Sequence, residues 1–201
     1  MWMRLTLLPL VLATAGCGAL SALDDAARPL EIYELRTPGI ETTARRRNVE
    51  LVVEEPIASG ALSTERIMVR PARLQAQYLP DVRWADPAPV MLRTLLLRSL
   101  AETGAFTSVG RQPLASVGDY ALLGELTDFQ AEPVAGSEAA EVRVRLMLRL
   151  VRERDASVVA SRTFDAVEQS ADTGPDSLVA AFDRATAALI AEVLPWVIAE
   201  T

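Results

Sequence analysis

The clearest periodicity in the chain runs over residues 141–152. Val142, Val144, Leu146, Leu148 and Leu150 alternate with Glu141, Arg143, Arg145 and Arg149. Successive side chains of a strand point to opposite faces, so this stretch reads as a strand with one apolar and one charged face. Met147 and Val151 interrupt the charged face, so part of it is expected to be covered. Residues 120–129 and 158–168 read as strands too, the latter burying Val158, Phe164 and Val167. Short connections at 133–137 and 154–157 make the three an antiparallel meander. Shorter strands are expected at 31–35, 49–53 and 106–109, with a hairpin formed by 66–70 and 74–78.

Two segments change to a helical period. Over residues 87–103, Leu92, Leu95, Leu96 and Leu100 form a stripe flanked by Met91 and Ser99. Asp86 before Pro87 predicts an N-cap, and Gly104 a left-handed ending. Over residues 176–199, Leu178, Phe182, Ala185, Leu189, Val193 and Trp196 recur every three or four positions. Asp176 or Thr173 is the expected cap there, and Pro195 is expected to bend or loosen the last turn. A mixed, largely antiparallel sheet with two amphipathic helices is an α/β (α+β) sandwich.

The N-terminal pattern differs from all of this. Arg4 precedes an apolar run from Leu5 to Ala13, which ends in Thr14-Ala15-Gly16-Cys17. The run is too short to span a bilayer as a helix, which takes roughly 20 residues. It reads as a cleaved signal peptide over residues 1–16. Its end resembles a bacterial lipobox, with Thr14 standing where Leu is usual. On that reading Cys17 becomes the N-terminus and carries acyl chains, each buried CH₂ contributing about 0.8 kcal/mol of anchoring. An ordinary signal peptide with Cys17 incidental is the alternative. Residues 17–29 lack periodicity and read as a lipidated tether, leaving 30–201 as a single domain.

Composition narrows the chemistry. Half of the residues are hydrophobic and the net charge is −7, which argues against nucleic acid as a partner because that needs clustered cations. All 20 basic residues are Arg. Arg45, Arg46 and Arg47 read as a solvated loop, with anionic headgroups as the alternative contact. The absence of His excludes Ser-His and Cys-His activation, and the absence of Lys excludes Ser-Lys dyads and Schiff bases. The one Cys is assigned to the anchor, so no structural disulfide and no thiolate metal site is expected, and of catalytic chemistries only a carboxylate pair remains open; none is assigned, and no metal or catalytic residue is expected. Adjacent carboxylates at Asp24-Asp25 and Glu54-Glu55 do not make a catalytic pair, because neighbours on an extended strand diverge.

Several segments resemble one family. They are Leu51-Val52-Val53-Glu54-Glu55-Pro56, Leu62-Ser63-Thr64-Glu65-Arg66-Ile67, Tyr78-Leu79-Pro80-Asp81-Val82-Arg83-Trp84-Ala85-Asp86-Pro87, Pro89-Val90-Met91-Leu92, Asp119-Tyr120-Ala121-Leu122-Leu123-Gly124-Glu125-Leu126 and the closing helix with Trp196. Together they resemble the ABC-type transport auxiliary lipoprotein family. The resemblance implies a three-layer sandwich and no catalytic residues. It implies an accessory subunit, working beside an ABC permease and ATPase and a mammalian-cell-entry (MCE) domain protein in lipid transport between membranes. No cofactor is implied beyond the acyl groups on Cys17. Expected location is the periplasm, anchored in the inner leaflet of the outer membrane, with the inner membrane as alternative. Homo-oligomerisation is compatible with the family type. An envelope assembly lipoprotein, a lipid-binding lipoprotein and, last, a hydrolase are the rival readings.

Tyr78, Arg83, Trp84 and Asp86 form the candidate partner-binding surface, since Tyr, Trp and Arg favour interface anchors. The competing reading places Trp84 in the core at a helix entrance, with Asp86 as cap and Arg83 pairing with Asp86.

Overall fold

The computed structural model describes residues 30–39, 45–114 and 118–201. The expected signal peptide, Cys17 and the expected tether lie outside the described residues. The chain divides into two compact units, Met1–Glu31 and Ile32–Thr201, and the second carries the sheet and both helices.

In chain order the elements are β1 (Glu31–Tyr33), β2 (Glu50–Val53), β3 (Ile57–Ala58), β4 (Met68–Ala72), β5 (Gln75–Tyr78), β6 (Val82–Trp84), α1 (Ala88–Glu102), β7 (Ser108–Gly110), β8 (Tyr120–Pro133), β9 (Ala140–Arg152), β10 (Ser157–Gln169) and α2 (Pro175–Glu200). The antiparallel meander β8–β9–β10 is present, with bulges at Leu126/Asp128 and Val158/Ala160. The long strand β8 organises the rest. Along its other edge it takes three short parallel partners in succession: Leu51–Val53 against Tyr120–Leu122, Ile57–Ala58 against Glu125–Leu126, and Val69 against Ala131. The hairpin of β4 and β5 forms as expected, and β7 lies parallel to β2 on the far side.

Alternation along β9 sets the core. Val142, Val144, Leu146, Leu148 and Leu150 are all fully buried. Both helices share one continuous core with these residues, α1 through Leu92, Leu95, Leu96 and Leu100, α2 through Leu178, Phe182, Leu189 and Val193. Burying each such aliphatic or aromatic side chain contributes about 1.5–3 kcal/mol. The opposite face of the meander carries Arg143, Arg145 and Asp165, all partly exposed. Water solvates those charges, so on the meander it is the apolar face that receives helix α2. The mixed sheet and the two amphipathic helices are as expected.

Other local expectations are corrected. Val158 and Val167 are 58% and 41% exposed. Val167 falls on the charged face opposite Phe164 and Ala166, and the bulge after Val158 shifts the phase of that end. Helix α1 has Pro87 in its N-cap position, and no side chain caps it, so Asp86 does not serve as cap. Gly174 is the N-cap of α2, again without a side-chain cap; Asp176 sits in the first turn, where a negative charge favours the helix dipole. Helix α2 continues through Pro195 to Glu200. Gly104 adopts φ 65° just past the end of α1, a conformation that only glycine takes without Cβ strain.

Candidate interaction surface

The segment from Tyr78 to Asp86 separates into a buried and an exposed part. Strand β6 places Trp84 wholly inside, in contact with Phe129 at 5.8 Å and Phe182 at 5.3 Å between ring centroids. Its backbone N–H donates to the carbonyl of Glu65, which holds β6 against the loop ahead of β4. The ring therefore cannot meet a partner, and the core position replaces the surface one for this residue. Among the described residues Trp84 Nε1 has no hydrogen-bond partner.

The other three candidates reach solvent. Tyr78 is half-buried at the base of the β4–β5 hairpin; its hydroxyl donates to the Ala61 carbonyl at 3.2 Å, and the Arg66 guanidinium lies 4.5 Å above its ring. Arg83 donates to the Glu65 carboxylate, so its ion-pair partner is Glu65 where Asp86 was expected. Asp86 is exposed one residue before Pro87. Tyr78, Arg83 and Asp86 thus share one chain segment that flanks the entrance of α1.

A second polar surface covers the open face of the meander. Asp165 accepts from Arg143 and from Arg145, and Arg145 also lies 3.9 Å from Asp128. The Asp165 carboxylate, by hydrogen bond and charge, raises the Arg145 pKa further above its usual value. Gln130 Nε2 donates to Asp128 and Glu132, extending the lattice along β8. At the far end, the Tyr120 hydroxyl is the main cause of an upward shift at Arg152. Charges paired in this way on a solvated face contribute little individually to stability. Periodicity alone marks Arg143 and Arg145 as solvent-facing, whereas Gln130 is buried; the pairing depends on the β9–β10 and β8–β9 registers.

Among the described residues no cluster of three His, Cys, Asp or Glu side chains is placed to hold a metal. No helix among them is long and apolar enough to cross a membrane.

Residues 33–194 match the model of the ABC-type transport auxiliary lipoprotein component family. The chain belongs to that family. An uncharacterised protein of Bradyrhizobium diazoefficiens is 29% identical over 167 residues; the match spans 83% of this chain and 44% of that protein. A crystallised Xanthomonas campestris protein from the DUF330 family is 27% identical with a TM-score of 0.75, covering 84% of this chain and 95% of its own. A hypothetical Chlamydia trachomatis protein shares the fold at 9% identity and a TM-score of 0.53, over 77% of this chain and 98% of its own.

Sequence reasoning put Tyr78, Arg83, Trp84 and Asp86 on one candidate contact surface, of which Trp84 is buried. It missed the exposed end of the β4–β5 hairpin. The signal was present: residues 66–80 hold Arg66, Arg70 and Arg73 and no acid.

Proposed function

We propose that this auxiliary lipoprotein is a non-enzymatic accessory subunit of an ABC transport system that contains an MCE-domain protein and moves lipid between the inner and outer membranes. Acyl chains on Cys17 hold it in the periplasmic space, on the inner leaflet of the outer membrane. It acts by protein contact through the rim formed by Tyr78, Arg83 and Asp86. The observation that carries this reading is the family match across 33–194, nearly the whole described domain. Two further features support it. The chain has no His or Lys to activate a nucleophile. Its candidate contact residues are exposed or half-exposed polar groups on a rigid strand–helix junction, a suitable base for docking.

The test is site-specific photocrosslinking in cells, with the photoreactive residue at position 83 or 86 and the crosslinked proteins identified by mass spectrometry. Recovery of a permease, ATPase or MCE-domain protein is expected. Recovery of outer-membrane assembly factors alone would move the protein to the envelope-assembly reading. In parallel, Cys17→Ser is expected to abolish incorporation of labelled palmitate and release the protein from the membrane fraction.

A further inference from the structure

We propose that the end of the β4–β5 hairpin is a membrane-contact element: Leu74 enters the interface of an anionic bilayer while Arg73, with Arg70 and Arg66 set behind it, meets its headgroups. This goes beyond the proposed function, since it needs no transporter.

Three observations meet at the hairpin. Leu74 is 97% exposed, the most exposed large apolar side chain in the described residues. Residues 71–77 are exposed without interruption, and they comprise Pro71, Ala72, Arg73, Leu74, Gln75, Ala76 and Gln77. The chain as a whole carries −7, yet the stretch 66–80 has three Arg and no Asp or Glu. Among the described residues none of these three Arg forms an ion pair, whereas neighbouring Arg83 is paired with Glu65. Arg66 is set behind the tip on the Tyr78 ring, and Arg70 is half-buried in β4.

The chemistry of the tip separates a bilayer from an acidic protein. Protein interfaces take their affinity from aromatic and Arg anchors seated in pockets, with charge-depleted centres. This tip has no aromatic side chain; its apolar groups are one Leu and small Ala residues. An apolar tip with guanidinium groups behind it is the arrangement that a bilayer interface accommodates. The alkyl stems of Arg lie along the acyl boundary and their charges stay among the phosphates. Attraction to an anionic surface acts within a Debye length, about 8 Å at physiological ionic strength, so Arg73 at the tip contributes most, and Arg70 and Arg66, farther back along the hairpin, progressively less.

Topology supplies the direction. Strand β4 pairs parallel to β8 at Val69 and Ala131, so the hairpin tip and the turn after β8 face the same end of the sheet. In that turn Val134 is 36% exposed and the one acid is Glu138. The β9–β10 turn, containing Arg154, faces the opposite end.

The test uses the mature lipidated protein, reconstituted by its own acyl chains into vesicles of phosphatidylcholine alone or with about one third phosphatidylglycerol. Leu74→Cys carries an environment-sensitive nitrobenzoxadiazole label; Arg154→Cys, labelled likewise, is the control. With phosphatidylglycerol present, the label at 74 is expected to brighten about twofold and shift to the blue, reversibly with high salt. The label at 154 is expected to stay unchanged. Arg73→Gln, at the exposed tip, should weaken the response; the triple change of Arg66, Arg70 and Arg73 to Gln should remove it, with circular dichroism confirming the fold. A label at 74 that reports water in both vesicle types would overturn the proposal. So would one that brightens only when an acidic protein is added. Failure to crosslink a transporter would leave this outcome untouched, so the two readings fail separately.

Discussion

Trp84 and Phe182 meet edge to face, with ring centroids 5.3 Å apart and planes at 85°. Phe129 completes the group at 4.8 Å from Phe182, so β6, β8 and α2 are joined through three rings. Such pairs add about 0.5–1.5 kcal/mol beyond their buried area. Trp84→Ala is therefore expected to cost about 3–5 kcal/mol, read as a lowered urea midpoint. Trp84→Phe should cost less, because it retains most of the volume and deletes a buried N–H without a partner among the described residues. An unchanged midpoint for the alanine variant would contradict the core position.

Gly124 in β8 is held glycine by its neighbours. A Cβ there would lie 3.1 Å from Pro56 Cβ and Cγ and 3.2 Å from Leu148 Cδ2. Pro56 is buried just ahead of β3, and it packs onto the space that glycine leaves. Gly124→Ala is expected to destabilise by about 1–3 kcal/mol through overpacking, and Gly124→Val by more. Thermal denaturation of the two variants beside the parent checks the order.

The Arg83–Glu65 pair separates stability from contact. Its side chains are 31% and 46% exposed, so Arg83→Ala should change unfolding free energy by less than about 1 kcal/mol. The same variant is expected to lose partner crosslinking from position 86. A large stability loss together with intact crosslinking would assign Arg83 to the fold alone.

Asp155 sets a pH dependence. The Ser157 hydroxyl, followed by the Ser157 backbone N–H and Arg152, favours the ionised carboxylate and lowers its pKa. A carboxyl depressed on folding stabilises the native state above its unfolded pKa of about 3.9, and that contribution fades as pH falls through the lower folded value. NMR titration of the Asp155 carboxyl should show the low midpoint, and Ser157→Ala should raise it. An identical midpoint in both proteins would remove the hydroxyl as the cause.

In the same turn Ala156 adopts φ 53°. A left-handed residue with a Cβ is strained by about 1–2 kcal/mol, while glycine loses roughly 0.5–1 kcal/mol more in chain entropy on folding. Ala156→Gly is expected to stabilise by about 0.5–1 kcal/mol, visible as a raised melting temperature.

Much of the architecture is written locally. The stripe of β9, the β4–β5 hairpin and the buried faces of both helices follow from periods of two and 3.6 residues, which need no partner to be read. The short strands β3 and β6 carry no such period. They exist because β8 and β1 offer them a ladder, and a two- or three-residue strand has no local signal. The burial of Trp84 is of the same kind: the segment around it names a large ring, and only the approach of Phe129 and Phe182 takes that ring out of solvent.

By itself, the order of residues determined the class of fold, the solvated side of the meander and the absence of His and Lys, since each is a matter of composition or short-range period; the family showed only as a resemblance of several segments. Tertiary structure alone decided that Trp84 is buried against Phe129 and Phe182, that Arg83 pairs with Glu65, and that Leu74, within the acid-free stretch, is exposed. Those outcomes depend on which distant segments meet, and contacts between distant segments are set by packing the whole core at once.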